Sequence, residues 1–214
     1  FKKEFLRLTH VNGSNNLISI PNPLPFKVGN DFSREKENFV LYVGRLDFQQ
    51  KRLDFVLEIW KKFMEINHDF QLHILGDGPK REVLEREVKE HSIKNITFHG
   101  FADPLEFFKK AKMLLLPSAF EGFGMVLIEA QSQSVIPISS KSYDGIEHVI
   151  NSPNAGFIID SFCPEEYVKV MNSLNEKNQI QKLQSEALEN AKKYSVERIG
   201  KIWLKEFDEI LNEQ

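Results

Sequence analysis

Cysteine is almost absent from this chain: Cys163 is alone among 214 residues. That excludes a disulfide within the chain and a cysteine-based zinc cluster, and it fits a reducing, cytosolic setting. No uninterrupted apolar run approaches the length needed to cross a bilayer, and no signal-peptide pattern opens the sequence. An excess of either charge is missing too. Lys and Arg number 28 against 31 Asp and Glu, a net charge of −3, so bulk charge gives no reason to expect a nucleic-acid partner. The six histidines, His10, His68, His73, His91, His99 and His148, show no paired metal-ligand spacing. His73 inside one apolar run and His99 at the end of another read as structural. There is no nucleophile elbow, no Walker-type phosphate loop, no basic–aromatic stripe, no internal repeat and no low-complexity tract. The sequence begins at Phe1 rather than at methionine, which raises the expectation of a piece of a longer chain.

What is present is ordinary in bulk: 41% hydrophobic and 28% charged residues, the make-up of a globular domain with appended helices. Residues 1–38 are polar and irregular, and Pro21, Pro23 and Pro25 mark an extended linker. From residue 39 the character changes. Short apolar runs at 39–43, 70–75, 96–98, 112–116, 135–138 and 156–159 predict strands. Between the first two, Leu53, Val56, Leu57, Trp60 and Phe63 share one helical face, and Val83, Leu84 and Val88 mark a weaker one. Strands alternating with amphipathic helices predict parallel βαβ units, hence an α/β, Rossmann-like, doubly wound sheet. Residues 165–212 read as helical throughout, striped at the end by Val196, Ile199, Trp203, Phe207 and Ile210.

In such a sheet, ligands bind outside the carboxyl ends of the strands, so the loops there carry the argument. The first holds Gly44, Arg45, Lys51 and Arg52. Its cations could receive a diphosphate through forked and point-charge hydrogen bonds, or could simply be solvated. The second, Gly76-Asp77-Gly78-Pro79, could let a ligand approach the backbone or could be a tight turn before a helix starting at Pro79. Gly100-Phe101 is a weaker third. Lys141 to Glu147 forms another loop, either a ligand contact or a cap for a helix starting near Ile146.

The most telling loop is Glu121-Gly122-Phe123-Gly124-Met125, followed by Glu129 inside an apolar helical run. A carboxylate partly removed from water needs a partner. Phe123-Gly124 should lie where a strand turns into a helix, leaving backbone N–H groups and the positive helix end near Glu121. Carboxylates that grip hydroxyls beside cations that grip phosphates suit a nucleotide-sugar. Read singly, each glutamate could be a cap or a solvated helix residue.

Together, Val43-Gly44-Arg45-Leu46, Lys51, Leu75-Gly76-Asp77-Gly78-Pro79, Phe98-His99-Gly100, Leu116-Pro117-Ser118 and Glu121-x7-Glu129-Ala130 come in the order and spacing of a known family. The chain resembles the retaining glycosyltransferases of family 4 over about residues 17–212. The resemblance implies a GT-B fold, two Rossmann-like domains across a cleft, of which this is the C-terminal, donor-binding one. Residues 1–38 would be the interdomain linker and 39–194 the nucleotide-sugar-binding domain. Residues 195–214 would be a helix bridging to an N-terminal domain outside this chain. By the same resemblance Arg45 and Lys51 bind the donor diphosphate and Glu129 holds the ribose. Glu121 sits at the transferred sugar. The N–H groups of Phe123, Gly124 and Met125 reach sugar and phosphate, and Gly44 and Gly78 belong to close-approach loops. Glu121, Arg45 and Lys51 would carry the catalysis, with no metal and no cofactor beyond the donor, most commonly a UDP-sugar.

The implied enzyme works in polysaccharide biosynthesis in the cytoplasm, at the inner face of the membrane. Its acceptor, a glycan or lipid-linked sugar, is held through the N-terminal domain, so this chain alone would be inactive. Two other readings use similar ligands, a non-catalytic nucleotide-sugar-binding module and a GT-B-fold sugar-nucleotide epimerase; the Glu-x7-Glu pairing argues for the transferase. Three departures from the family stand out. Ser134-Val135-Ile136-Pro137 moves a proline by one position, Tyr143-Asp144-Gly145 replaces a Gly-Gly, and Lys51-Arg52 replaces Lys-Gly.

Overall fold

The computed structural model describes residues 18–29, 36–143, 145–151, 155–174 and 177–212. The remainder of the expected linker, Asp144 and the last two residues of the expected C-terminal helix lie outside the described residues. Six strands, β1 (Glu37–Val43), β2 (Gln71–Leu75), β3 (Ile96–Gly100), β4 (Ala111–Leu116), β5 (Ile136–Ser140) and β6 (Phe157–Ile159), form one sheet in the order β3-β2-β1-β4-β5-β6. Every neighbouring pair is parallel. The expected doubly wound sheet is therefore present. All its strands lie where apolar runs predict them, with ends displaced by one or two residues. The inner strands are largely buried, β1 over Phe39–Tyr42, β4 at all but one position and β5 throughout, as two-sided coverage by helices requires.

Helix α1 (Leu53–Phe63) shows how the sheet is covered. Leu53, Phe55, Val56, Leu57, Ile59, Trp60 and Phe63 are all buried, and each large apolar side chain removed from water stabilises by about 1.5–3 kcal/mol. Asp54 in its first turn and Lys61 and Lys62 in its last complement the helix dipole. The indole N–H of Trp60 is satisfied by the Lys94 carbonyl at 3.0 Å. Helices α2 (Arg81–Glu90), α3 (Pro104–Phe108), α4 (Met125–Gln131) and α5 (Ile146–Val149) follow the next strands in turn. Helix α2 starts two residues after Pro79, because Pro79 and Lys80 complete a turn. Helix α3 was not expected. It is a single turn capped by the Asp103 carboxylate, which accepts from Leu105 N–H at 3.0 Å.

The C-terminal third departs from the expectation of continuous helix. It is three helices, α6 (Pro164–Ser173), α7 (Lys177–Ala191) and α8 (Val196–Asn212), with a 3₁₀ turn at Lys192–Tyr194 before the last. The break has a local cause. Tyr194 is buried, its hydroxyl donates to the His148 carbonyl at 2.8 Å, and its own carbonyl accepts from Leu24 N–H at 2.8 Å. Ser195 is extended and its hydroxyl accepts from Arg198 N–H, a cap that restarts the helix.

Residues 18–29 have no regular secondary structure, yet they are held against the domain. Leu24 is buried, Phe26 lies against Phe108, and Gly29 N–H donates to the Ser132 carbonyl at 2.8 Å. Just ahead of β1, the Lys36 ammonium donates to the carbonyls of Phe108, Lys109 and Gln133.

Candidate functional site

Strands β1 and β4 are neighbours although the chain leaves them in opposite directions across the sheet. That switch point opens a crevice at their carboxyl ends, flanked by the loop after β1 and the loop after β4. Both loops are built to hold shape. After β1, the Asp47 carboxylate accepts from the N–H groups of Gln50 (2.8 Å) and Lys51 (2.9 Å), and its carbonyl accepts from Leu53 N–H. Tyr42, buried in β1, donates its hydroxyl to the Arg45 carbonyl at 2.8 Å. Burial, and then the carboxylates of Asp47 and Glu121, push the Tyr42 phenol well above its ordinary pKa, so it remains a donor. Ala119 N–H donates to the Gln50 carbonyl at 2.7 Å and ties the two loops together.

The glycines at these strand ends serve contact between loops. Gly76 has φ +123°, and a Cβ there would come within 2.0 Å of the Gly44 carbonyl oxygen. A Cβ on Gly78 would meet the backbone of Leu46 at 2.5 Å. Leu46 N–H in turn donates to the Asp77 carbonyl at 3.0 Å. The close approach at Gly78 is thus to the loop that carries Arg45 and Lys51.

Across the crevice, the Lys51 ammonium meets the Glu121 carboxylate at 2.5 Å, with only 15% and 8% of the two side chains exposed. The sequence singles out both residues without pairing them; the fold brings them together from 70 positions apart. Arg45, by contrast, is exposed and makes no ion pair among the described residues. One cation is therefore neutralised within the site and the other faces solvent.

Phe123 and Gly124 lie where the sequence places them, at the turn into α4. Gly124 is in the left-handed region (φ +75°) and no side chain caps the helix that begins at Met125. The Tyr143 hydroxyl donates to the Phe123 carbonyl at 3.0 Å, and the Phe123 ring sits edge-on to Tyr194. Burial, with Glu121 nearby, pushes the Tyr143 phenol upward. Glu129 is half-buried on α4 and makes no ion pair among the described residues; burial raises its pKa. A carboxylate held there without a cation is ready to accept hydrogen bonds from a ligand.

Three residues of this site were not singled out from sequence, Tyr42, Asp47 and Tyr194, and Tyr143 was read only as part of a candidate ligand loop and as a departure from a Gly-Gly. Asp47 had a weak local signal, an Asx residue whose carboxylate caps N–H groups three and four residues on. Tyr194 had none, because it acts through a carbonyl 46 residues away, and Tyr42 reads as a core residue of a strand although its hydroxyl serves the Arg45 carbonyl three residues on.

A profile of the family described as glycosyl transferases group 1 matches residues 27–194. A Campylobacter jejuni relative is 33% identical over 197 residues, 89% of this chain and 54% of its own. Its name is GalNAc-α-(1→4)-GalNAc-α-(1→3)-diNAcBac-PP-undecaprenol α-1,4-N-acetyl-D-galactosaminyltransferase. The amylovoran biosynthesis glycosyltransferase AmsD of Erwinia amylovora is 29% identical, over 96% of this chain and 58% of its own. The chain thus spans little more than half the length of these curated relatives. Among solved structures, Staphylococcus aureus TarM, in complex with UDP among other ligands, superposes with a TM-score of 0.83 at 22% identity, covering 95% of this chain and 41% of TarM. The pneumococcal O-GlcNAc transferase GtfA, in complex with UDP and GlcNAc, gives 0.82 at 17%, covering 99% of this chain and 44% of GtfA. These likenesses place the fold among the Rossmann-like halves of GT-B glycosyltransferases.

Proposed function

The chain belongs to the glycosyl transferases group 1 family, and from that membership we propose that it is the donor-binding half of a retaining, metal-independent glycosyltransferase of family 4. The observation that carries the reading is the buried Lys51–Glu121 pair at the switch point, beside an exposed Arg45. A nucleoside-diphosphate sugar, in this reading a UDP-sugar, supplies what each group lacks. Its diphosphate takes Arg45 and competes for Lys51, its ribose hydroxyls donate to Glu129, and its sugar hydroxyls donate to the Glu121 freed by that exchange. Backbone N–H groups of the Phe123-Gly124-Met125 turn complete the grip. Gly44 and Gly78 let the loops stand close enough for one ligand to touch both.

Transfer breaks the bond from the anomeric carbon to the diphosphate, whose oxygen leaves with the electron pair while an acceptor hydroxyl oxygen bonds that carbon and gives up its proton to the departing diphosphate. The transition state is oxocarbenium-like and negative charge grows on the diphosphate. Fixed cations aimed at that charge stabilise it without reorganising. Under this reading Arg45 and Lys51 do the work that other transferases give to a divalent ion.

The domain division follows: residues 39–194 bind donor, and residues 195–214 bridge to an N-terminal half that holds a glycan or lipid-linked acceptor. Helix α8 suits the bridge because Val196, Trp203, Leu204, Phe207, Ile210 and Leu211 are exposed. No helix among the described residues is long and apolar enough to cross a membrane. The full enzyme would act in the cytoplasm, reaching lipid-linked acceptors at the inner membrane face.

Ligand-dependent melting and calorimetry test this directly. Uridine or guanosine diphosphate, or their sugars, should raise the melting temperature by mass action, with or without a chelator. No shift with any of them at millimolar concentration defeats the donor site, and a strict need for a divalent ion defeats the role of Arg45 and Lys51. With labelled donor this chain should show no enzymatic transfer, whereas a longer protein containing the first half should.

A further inference from the structure

Tyr143 stands where the sequence departs from the family it resembles, and its side chain reaches the turn between Glu121 and α4. The hydroxyl donates to the Phe123 carbonyl at 3.0 Å. It also fills the space beside Gly124, where a Cβ would come within 2.4 Å of it. Gly124 therefore answers two demands, a left-handed φ of +75° and room for the phenol. Elsewhere the turn is held through side chains, by Phe123 edge-on to Tyr194 with centroids 6.0 Å apart and by the Glu121 carboxylate on Lys51. Among the described residues, the one side-chain hydrogen bond that fixes the turn's backbone comes from Tyr143.

We propose that Tyr143 is a positioning residue for the donor site: its hydroxyl sets the Glu121–Gly124 turn so that the Glu121 carboxylate stays in register with Lys51 and open to the donor's sugar. The proposal rests on the donor-site reading above. The geometry favours it over simple core filling. A phenylalanine would fill the same half-buried volume, so only the hydroxyl distinguishes the two roles. The hydroxyl is spent on the carbonyl two residues beyond Glu121, and a carbonyl freed there leaves the turn without that tether. Tyr143 follows β5, so the loop after β5 controls a site built by the loops after β1 and β4.

The test uses Tyr143→Phe in the whole chain and three readouts: affinity for a bare nucleoside diphosphate, affinity for the intact nucleotide-sugar, and amide hydrogen exchange. Losing one neutral hydrogen bond should weaken the intact donor roughly 2- to 10-fold while bare nucleotide changes less than about twofold. Amides at 121–126 should exchange faster, with exchange in the rest of the chain unchanged and the melting temperature lowered by no more than about 5 °C. Equal weakening of both ligands, or wild-type affinity for the intact donor, would overturn the positioning role. So would exchange at 121–126 that matches wild type. Were the unaltered chain to bind neither ligand, the donor reading would fall by itself. Exchange confined to 121–126 would then still decide whether Tyr143 tethers the turn.

Discussion

Helices α1 and α8 carry the same kind of sequence and meet opposite fates. Each has a stripe of large apolar residues including a tryptophan and a phenylalanine, and each carries charges on the other face. In α1 seven of them, Trp60 and Phe63 included, are buried against the sheet. In α8 only Ile199 is buried, while Trp203 and Phe207 pack on each other and remain exposed. Amphipathic period fixes which face is apolar and leaves open what covers it. In α1 the cover is this domain's own sheet. For α8 the proposed cover is the other half of the enzyme.

That contrast gives the largest expected effect. Trp60→Ala should destabilise the chain by about 3–5 kcal/mol, through lost burial, a residual cavity and an orphaned Lys94 carbonyl. Trp203→Ala should change it by less than about 0.5 kcal/mol, as exposed substitutions do. Urea unfolding of the two variants checks this. A large loss from Trp203→Ala would mean that α8 is covered within this chain, and the bridge assignment would go. In a longer protein with the first half attached, Trp203→Ala should become costly.

A second comparison sets the two carboxylates of the site against each other. Glu121 has a buried cation at 2.5 Å, whereas Glu129 has burial without one. Glu121→Gln strands Lys51 and should lower the melting temperature. Glu129→Gln removes a charge that burial disfavours and should raise it. The pH dependence carries the same sign. A carboxylate whose folded pKa is raised contributes stability at low pH that is lost as pH climbs through that pKa. Function should run the other way. Glu129→Gln should weaken nucleotide binding by roughly ten- to a hundredfold, since hydrogen bonds to a charged group are worth about 1.5–3 kcal/mol. Glu121→Gln should weaken the intact donor and tighten the bare diphosphate, because Lys51 is released. Calorimetry on both variants separates the roles; melting shifts of the same sign in both would break the comparison.

The sheet was legible because its strands are apolar runs between turn residues, and hydrophobic burial is what both the sequence pattern and the fold record. Its limits were chemical. Strand β5 extends through Ser139 and Ser140, polar residues that the pattern ends before. They sit buried in the sheet because their hydroxyls donate to the carbonyls of Leu116 and Ser118. Helix α3 is too short to show a period. At the site, Arg45, Lys51, Glu121 and Glu129 were readable as charges in loops or in an apolar helix. The pairing of Lys51 with Glu121 was not, since nothing local relates residues on loops brought together by strand order. The loop holding Tyr143 was readable as a candidate, but the partner of Tyr143 was not, nor was any role for Tyr194, because each acts through a backbone carbonyl far along the chain.

The smallest expected effect concerns β2 and β3, at one edge of the sheet. His73 on β2 and His99 on β3 join through Nδ1 and Nε2 at 2.9 Å, with ring planes only 7° apart. Ring centroids 5.1 Å apart and near-parallel planes fit an in-plane N–H···N bond, with one proton between the two nitrogens. The other nitrogen of His73 meets the Gln71 side-chain carbonyl at 3.1 Å. Phe39 and Phe107 face the pair, and Glu37 and Lys110, themselves paired at 3.5 Å, act on His73 in opposite directions. Burial first, and for His73 the charge of His99 next, hold both below the ordinary histidine value of 6.5. The unfolded chain therefore takes up protons that the folded chain refuses. The pair's contribution is fully present above the unfolded pKa and is lost as pH falls below it through the folded values. Lowering pH from about 7.5 to about 5.5 should cost the unaltered chain more stability than His99→Phe, which leaves one histidine with no ring to repel. Urea midpoints at the two pH values measure the difference. Equal losses in both proteins would show that the pair titrates as two ordinary surface histidines, and that the bond between them carries no pH dependence of its own.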